Sequence, residues 1–163
     1  MSRQSLFRIF IVLGFVCCAA AGWSQQMTNP YGPPITLDIA KKYAPAALDE
    51  ARKNGWTMAV AVVDPAGDLV YFERMDNTQL GSVNLAIAKA RSAARFKRPT
   101  KVFQDMLAAG GDQLRVIGLE GAVPVEGGFP LVVGGKIVGG IGVSGGTSPQ
   151  DSQCAKAAAD LVK

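Results

Sequence analysis

The sequence contains no histidine. Histidine is the usual base beside a serine or cysteine nucleophile, and it is also a common zinc ligand. Its absence excludes Ser-His and Cys-His catalytic pairs, together with any zinc site that needs an imidazole. Any catalysis by this chain must therefore use carboxylates, lysine, arginine, serine, threonine or tyrosine.

The sequence also lacks an apolar run of the usual membrane-spanning length. Its N-terminal run covers only Ile9 to Ala21 and follows Arg3 and Arg8, whereas a spanning helix needs roughly 20 apolar residues. Basic residues before a short apolar stretch that ends in small residues are typical of a secretory signal peptide. We therefore predict that residues 1–24 are a cleaved signal peptide rather than an anchor, and that the mature protein is periplasmic or secreted.

Cysteine is scarce as well. Cys17 and Cys18 lie in the predicted signal peptide, where the residues before them fit the lipoprotein pattern poorly, so the mature chain keeps only Cys154. No intramolecular disulfide can then form, even in an oxidising compartment. Packing alone has to hold the fold.

A strong excess of either charge is missing. Cleavage removes Arg3 and Arg8 and no acidic residue, so the formal net charge falls from +4 to +2. The electrostatic footprint of a nucleic-acid-binding protein is absent from such a chain. We expect a small-molecule ligand, no nucleic-acid partner and no stable membrane anchor.

The chain left after cleavage has the size of one domain, about 140 residues. Residues 25–35 are rich in proline and predict a flexible leader arm, and residues 36–163 form a single domain. Periodicity and turn residues predict its helices and strands. The predicted order is a helix (36–54, kinked at Pro45), two strands (56–63, 69–75), two helices (82–97, 100–109), three strands (121–125, 130–133, 136–143) and a helix (148–161). Hairpin links make this an α+β domain, an antiparallel sheet of about five strands with flanking helices.

Four blocks of the sequence carry a family resemblance. They are Val63–Leu69 with Arg74–Asp76, Ala88–Ala90 with Phe96 and Pro99-Thr100, Gly127–Leu131, and Val138–Gly146 with Gln150-Asp151. In this order they resemble the signature blocks of the GlcG/HbpS-like family of haem-binding and haem-degrading proteins, which is related to the C-terminal domain of PduO-type proteins. The resemblance implies a profilin-like domain that assembles into homo-oligomers and binds haem or a related tetrapyrrole. An Ala-rich and Gly-rich chain with little polar surface also favours a homo-oligomer.

The lack of histidine limits how this chain could hold haem. A His-ligated iron is excluded, so an axial ligand would have to be a tyrosine, a methionine or the cysteine. The simpler explanation of each of these residues is core packing or a partly wet aromatic. They are Tyr31, Tyr43, Tyr71, Met58, Met75, Met106 and Cys154. Weak contact through a surface threonine is a further alternative, and no other metal site is predicted.

Three charged residues are candidate ligand contacts. Arg74 is able to clamp a carboxylate or a haem propionate with two parallel hydrogen bonds, and Asp76 lies beside it. Alternatively, an ion pair of Arg74 with Asp76 or with Asp151 only fixes the loop. Lys89 is either a cation that faces a cleft or, more simply, a solvated lysine.

Two glycine-containing segments are the other candidates. Ser144 and Gly145 precede a helix whose N-terminus could bind an anion, unless Asp151 already takes those donors as a cap together with Ser148. Gly127 and Gly128 either let a flat ligand approach the backbone or simply relieve a bulge.

Two functional classes are consistent with these residues. The first is an exported protein that binds haem or a related tetrapyrrole. The alternative is an enzyme that acts on a small oxygenated carboxylate metabolite through a corner formed by Arg74, Asp76 and Ser144. A purely structural oligomer is a third and weaker option.

The signal-peptide assignment is testable by mass. We expect the protein from the periplasmic or secreted fraction to be processed between Ala21 and Gln26, and mass spectrometry of that fraction measures the shortening directly. Recovery of only full-length protein in the cytoplasm would contradict the assignment.

Overall fold

The structure is a computed structural model that describes residues 28–162. The predicted cleavage site between Ala21 and Gln26 lies outside those residues. Within the described range, none of the helices combines the length and the apolar character that crossing a membrane requires.

Two short helices open the domain. Helix α1 spans Leu37–Tyr43 and helix α2 spans Pro45–Lys53, and Thr36 accepts a hydrogen bond from the amide of Ile39 at the start of α1. Proline has no amide hydrogen, so it begins a helix readily and interrupts one that would run through it. The kink predicted at Pro45 is thus a break between two helices.

Four strands form one antiparallel sheet. They are β1 (Ala59–Val63), β2 (Leu69–Arg74), β3 (Gly128–Val133) and β4 (Lys136–Ser144), in the spatial order β2-β1-β4-β3. Every residue of β1 is buried, because the sheet is covered on both faces. This confirms the predicted α+β class and the antiparallel sheet with flanking helices.

Four more helical segments complete the described chain. Helix α3 spans Ser82–Phe96, α4 spans Lys101–Ala109, a 3₁₀ helix that the periodicity did not indicate spans Gly111–Gly118, and α5 spans Ser148–Ala159. The cap of α5 is Thr147, whose amide donates to the Gln150 side chain over 2.9 Å. The predicted cap at Ser148, with Asp151 reaching back to it, was therefore wrong.

The sheet has four strands rather than about five, because residues 121–125 do not form a strand. The amide of Ala122 donates to the Leu119 carbonyl, closing a turn, and the amide of Val123 donates to the Ser92 hydroxyl, each over 3.0 Å. The bond to Ser92 holds the segment against α3, where it has no strand to pair with. We name residues 120–123 the α3 strap.

The arm before α1 runs along β4. The amides of Gly32 and Ile35 donate to the carbonyls of Ile137 and Val138, each over 2.8 Å, and the amide of Ile137 donates to Pro30. The pairing of β1 with β4 ends at Val63 and Gly140. The arm therefore provides hydrogen-bond partners for backbone groups of β4 beyond the end of β1.

The sheet separates two cores. Alternate residues of a strand face opposite sides, so Val60 and Val62 pack with α2 and α5, whereas Ala59, Ala61 and Val63 pack with α3. The α3 side of the sheet carries small residues, and a helix can lie close to such a surface.

Helix α3 packs directly on β4 at glycine positions. A Cβ built on Gly142 would overlap the Ala86 carbonyl oxygen and lie 2.5 Å from the Ala90 nitrogen. A glycine is therefore required at position 142, because real side-chain carbons do not approach backbone so closely.

Cys154 lies on the core-facing side of α5 and is fully buried. Burial raises the pKa of its thiol from 9.0 to about 12, with the nearby charges of Glu50 and Asp151 adding to the effect. We expect the thiol to resist alkylation at pH 8 in the native protein and to react in denaturant, since only the thiolate is nucleophilic.

The same raised pKa predicts how stability changes with pH. The unfolded chain releases the thiol proton near pH 9 while the folded chain keeps it, so this contribution to stability is complete below about pH 9 and is lost between about pH 9 and 12. Urea unfolding of the wild type and of Cys154→Ala should show a steeper alkaline loss in the wild type. Equal slopes would contradict the assignment.

Candidate functional site

Lys89 lies on the sheet side of α3 and its side chain is fully buried. The simpler expectation, a solvated lysine, was wrong. The buried neighbours of Lys89 on α3 are small residues, alanines and Ser92, and they leave room beneath the helix for the long lysine side chain. An ammonium in such a place needs a fixed counter-charge, because desolvation of an unpaired charge is costly.

Asp151 on α5 supplies that counter-charge. Lys89 Nζ lies 2.6 Å from Asp151 Oδ2 and 3.1 Å from the carbonyl oxygen of Val143, and the amide of Gly146 donates to Asp151 Oδ1 over 2.9 Å. The pair joins a helix on one face of the sheet to a helix on the other. Asp151 thus pairs with Lys89 and not with Arg74, which was the partner considered from the sequence.

Burial disfavours the charged form of both partners. It lowers the pKa of the Lys89 ammonium, while the hydrogen bond and charge of Asp151 oppose this change. It raises the pKa of the Asp151 carboxyl, while Lys89 and the backbone amides of Gly146 and Gly145 oppose that change. The pair is therefore held by mutual compensation, and neither group is exposed to a ligand.

Gly127 and Gly128 lie against this pair. A Cβ on Gly127 would stand 2.8 Å from the Asp151 Cβ and 3.0 Å from Lys89 Nζ, and one on Gly128 would stand 2.7 Å from a methyl of Thr100. Both glycines are buried, so the chain's own atoms fill that side of each. The structure gives them a packing reason, and their contact with a ligand stays a prediction.

Ser144 and Gly145 adjoin the same pair from the end of β4. The Ser144 hydroxyl is buried and donates to the Ser82 hydroxyl over 3.0 Å, and a Cβ on Gly145 would lie 2.8 Å from the Met58 Cα. The following amide, of Gly146, points at Asp151. The protein's own carboxylate thus occupies the position where the sequence suggested an anion.

Arg74 and Asp76 lie apart from the buried pair, at the end of the edge strand β2. Both are exposed, and among the described residues neither has an oppositely charged side chain within 4.0 Å. Along the sheet, Ser144 is opposite Ala59, which is opposite Arg74. Five of the seven predicted residues therefore meet around Lys89 and Asp151, and two do not.

A groove runs along the outer side of α3. It has a volume of about 790 Å³ and its walls are one helical stripe of α3 and the α3 strap; it is lined by Asn84, Ile87, Ala88, Arg91, Arg95, Glu120, Gly121 and Val123. This volume falls within the range of small-molecule sites, about 300–1,000 Å³. Two arginines one turn apart make it a candidate anion-binding site.

Both groove arginines are anchored by their Nε atoms. Arg91 Nε donates to the carbonyl of Gly67 over 2.8 Å, and Arg95 Nε donates to the carbonyl of Ala66 over 2.6 Å. Within residues 28–162 no carboxylate lies within 4.0 Å of either guanidinium. The terminal N–H groups are thus free to bind a carboxylate with two parallel bonds.

The groove arginines did not emerge from the sequence analysis. The signal that would have found them is the spacing of Arg91 and Arg95 on an alanine-rich helix, each about 100° around the axis from the preceding alanine of the stripe Ala86, Ala90 and Ala94. Residues four apart lie on the same helical face. These alanines pack on the sheet, and the two arginines are exposed on the same side of the helix.

Fold and groove together define a small α+β domain with a candidate anion-binding groove on one helix. The sequence of residues 35–160 matches the model of the family described as "Haem degrading protein HbpS-like". This chain belongs to that HbpS-like family. The match confirms the resemblance carried by the four sequence blocks.

Three known proteins illustrate the relationship. The chain is 38% identical to protein GlcG of Escherichia coli over 110 residues, which cover 68% of this chain and 81% of GlcG. A double mutant of HbpS from Streptomyces reticuli superimposes with a TM-score of 0.73 at 32% identity, covering 81% of this chain and 89% of that one. A complex of PduOC with haem superimposes with a TM-score of 0.72 at 27% identity, covering 80% and 96%.

The buried pair predicts a large loss of stability when only one partner is removed. Lys89→Met leaves the Asp151 carboxylate buried without its cation, and we expect the free energy of unfolding to fall by about 3–5 kcal/mol. The double variant Lys89→Met/Asp151→Asn should regain much of this loss, because it removes both charges and keeps an acceptor for Gly146. Urea unfolding measures each value.

Lys101 and Asp105 provide the matched control, because they form an exposed ion pair on α4. Lys101→Ala should cost less than about 1 kcal/mol. A Lys89→Met variant as stable as Lys101→Ala, or a double variant no more stable than Lys89→Met, would contradict the role assigned to the buried pair.

Proposed function

We propose that this protein is an exported binding protein for haem or a related tetrapyrrole, and that the groove along α3 is its binding site. Membership of the HbpS-like family and the fold shared with the PduOC:haem complex support the ligand class. The observation that carries the site is the pair of anchored arginines, Arg91 and Arg95, in a groove of suitable size.

The lining residues fit the carboxylates and the apolar face of a tetrapyrrole. Ile87, Ala88 and Val123 provide apolar surface between the two walls, and the guanidiniums provide cations for the two propionates. Burial of a flat apolar ring against such side chains is favourable at about 25 cal/mol per Å². Charge and apolar surface thus occur together in one groove.

The lining residues do not include a usual axial ligand for iron. No histidine, cysteine, methionine or tyrosine is among them, and two of the axial candidates from the sequence, Met58 and Cys154, are fully buried elsewhere. When bound, haem would bring its redox chemistry to the groove. The protein's own residues would hold it by the propionates and by packing, without a bond to the metal.

Glu120 is the one acidic side chain among the lining residues. Its carboxylate repels a dianionic ligand and so weakens the attraction of the two arginines. The net positive charge of the groove is therefore smaller than the +2 of its two arginines.

Export and self-association remain part of the proposal. The predicted signal peptide supports export. Exposed apolar side chains such as Leu80 and Ile117, which are 79% and 72% exposed, support association with further copies.

No contact in the described residues favours the alternative enzyme. Its proposed corner needs the Ser144 hydroxyl beside Arg74 and Asp76, but that hydroxyl is buried and bonded to Ser82. Arg74 and Asp76 remain exposed residues without a described partner for catalysis.

An absorbance titration with hemin tests the proposed site. We expect Arg91→Ala and Arg95→Ala each to weaken binding by about tenfold or more, since each removes a charged hydrogen bond worth about 1.5–3 kcal/mol. Metal-free protoporphyrin should bind within about threefold of hemin, because no side chain of the groove bonds iron. Saturation near one ligand per chain is the expected stoichiometry.

Arg52→Ala is the matched control, because Arg52 is an exposed arginine of α2 paired with Asp49 on the other face of the sheet. Arg74→Ala separates the groove from the corner suggested by the sequence. Loss of hemin affinity in Arg74→Ala but not in Arg91→Ala or Arg95→Ala would move the site to the end of β2. Equal affinity of all four variants would reject both sites.

A further inference from the structure

The turn between β1 and β2 holds the two groove arginines, and the Asp64 side chain closes this turn together with main-chain bonds, one of which runs from the amide of Asp64 to the Asp68 carbonyl over 2.9 Å. The carboxylate of Asp64 accepts from the amide of Asp68 over 2.9 Å, and the Asp64 carbonyl accepts from the amide of Gly67 over 3.0 Å. These bonds curl residues 64–68 so that two successive carbonyls, of Ala66 and Gly67, point at α3.

Gly67 allows the turn to touch the helix. Its φ is +91°, a region that side chains rarely adopt, and a Cβ there would lie 2.7 Å from Arg95 Nε and 3.3 Å from Arg91 Cγ. A glycine is therefore required both by the backbone conformation and by the space that the two arginines occupy.

The carbonyls fix the direction of each guanidinium. A planar guanidinium whose Nε is bonded to a carbonyl keeps its terminal N–H groups on the other side. Arg91 and Arg95 are one helical turn apart on the same face, and their carbonyl partners are adjacent in the chain. The terminal N–H pairs of the two guanidiniums are thus held at a fixed spacing before any ligand binds.

We propose that the turn of residues 64–68, closed by Asp64, positions Arg91 and Arg95 to recognise two carboxylates on one flat apolar ligand. The inference rests on the proposed groove and adds a ligand preference to it. Two guanidiniums that are already oriented lose little side-chain freedom on binding. A ligand with two free carboxylates is therefore favoured over the same ring with blocked carboxylates. Asp64 itself is a positioning residue, since it acts through the turn and not on the ligand.

The experiment compares hemin with its dimethyl ester, which keeps the ring and the iron and lacks the negative charges of both propionates. We expect the wild type to bind hemin about tenfold or more tightly than the ester. Asp64→Ala should remove most of that preference by weakening hemin binding alone, while ester affinity stays within about twofold. Asp64→Asn should restore the preference, because its amide oxygen can still accept from Asp68.

Two further variants make the result decisive. Gly67→Ala should reproduce the selective loss, since the added methyl displaces the Arg95 guanidinium, and it replaces Asp64→Ala if that variant does not fold. Asp49→Ala, which removes an exposed carboxylate on α2, is the control for charge and should keep the full preference.

The outcomes separate the two proposals. Absence of hemin binding by the wild type would reject the proposed function. Hemin binding with no preference over the ester would reject recognition of the carboxylates. Equal losses for hemin and ester in Asp64→Ala, or failure of Asp64→Asn to restore the preference, would show that the turn is merely structural and overturn the inference.

Discussion

The close contact between α3 and β4 is the constraint on which the rest of the structure depends. Glycines at positions 140 and 142 let the backbone of the helix approach the strand, and alanines at 86, 90 and 94 form the facing stripe. A Cβ at either glycine would overlap a carbonyl oxygen of the helix, so glycine is required at both positions, and the helix is held in the rotation that turns its alanine stripe toward the strand. That rotation decides which α3 side chains are buried and which face solvent.

The helical period then divides the basic residues of α3 into two groups. Lys89 and Arg91 lie about 100° to either side of Ala90 around the helix axis. The buried face of α3 continues on the Lys89 side, through Ser82 and Ala93, whereas Arg91 and Arg95 lie on the exposed side. The buried lysine needs a partner from the opposite face of the sheet, which Asp151 supplies. The outward arginines need none, and backbone carbonyls of a turn orient them.

Much of the fold could be predicted from the sequence, and less of the site. Apolar periodicity, turn residues and Pro45 placed most helices and strands, because these signals are local. Residues 121–125 look like a strand because valines and alanine dominate them, and only a distant hydroxyl, Ser92, explains why they lie on α3 instead. Lys89 was misassigned for the same reason, since its partner is 62 residues away and no local pattern indicates a buried charge.

The two sets of charges suit different tasks because of where their neighbours lie. Around Lys89 and Asp151, glycines and backbone groups fill the surrounding space, so a ligand could enter only by displacing the packing that joins α3 to α5. Around Arg91 and Arg95, the protein supplies one hydrogen bond to each guanidinium and leaves the remaining donors facing the groove. A cation that is already oriented but not yet neutralised attracts an anion at little reorganisation cost. The four sequence blocks thus serve two ends in this chain, since the 64–68 turn bonds the two groove arginines while Lys89 and the last glycine-rich strand build the core beneath α3.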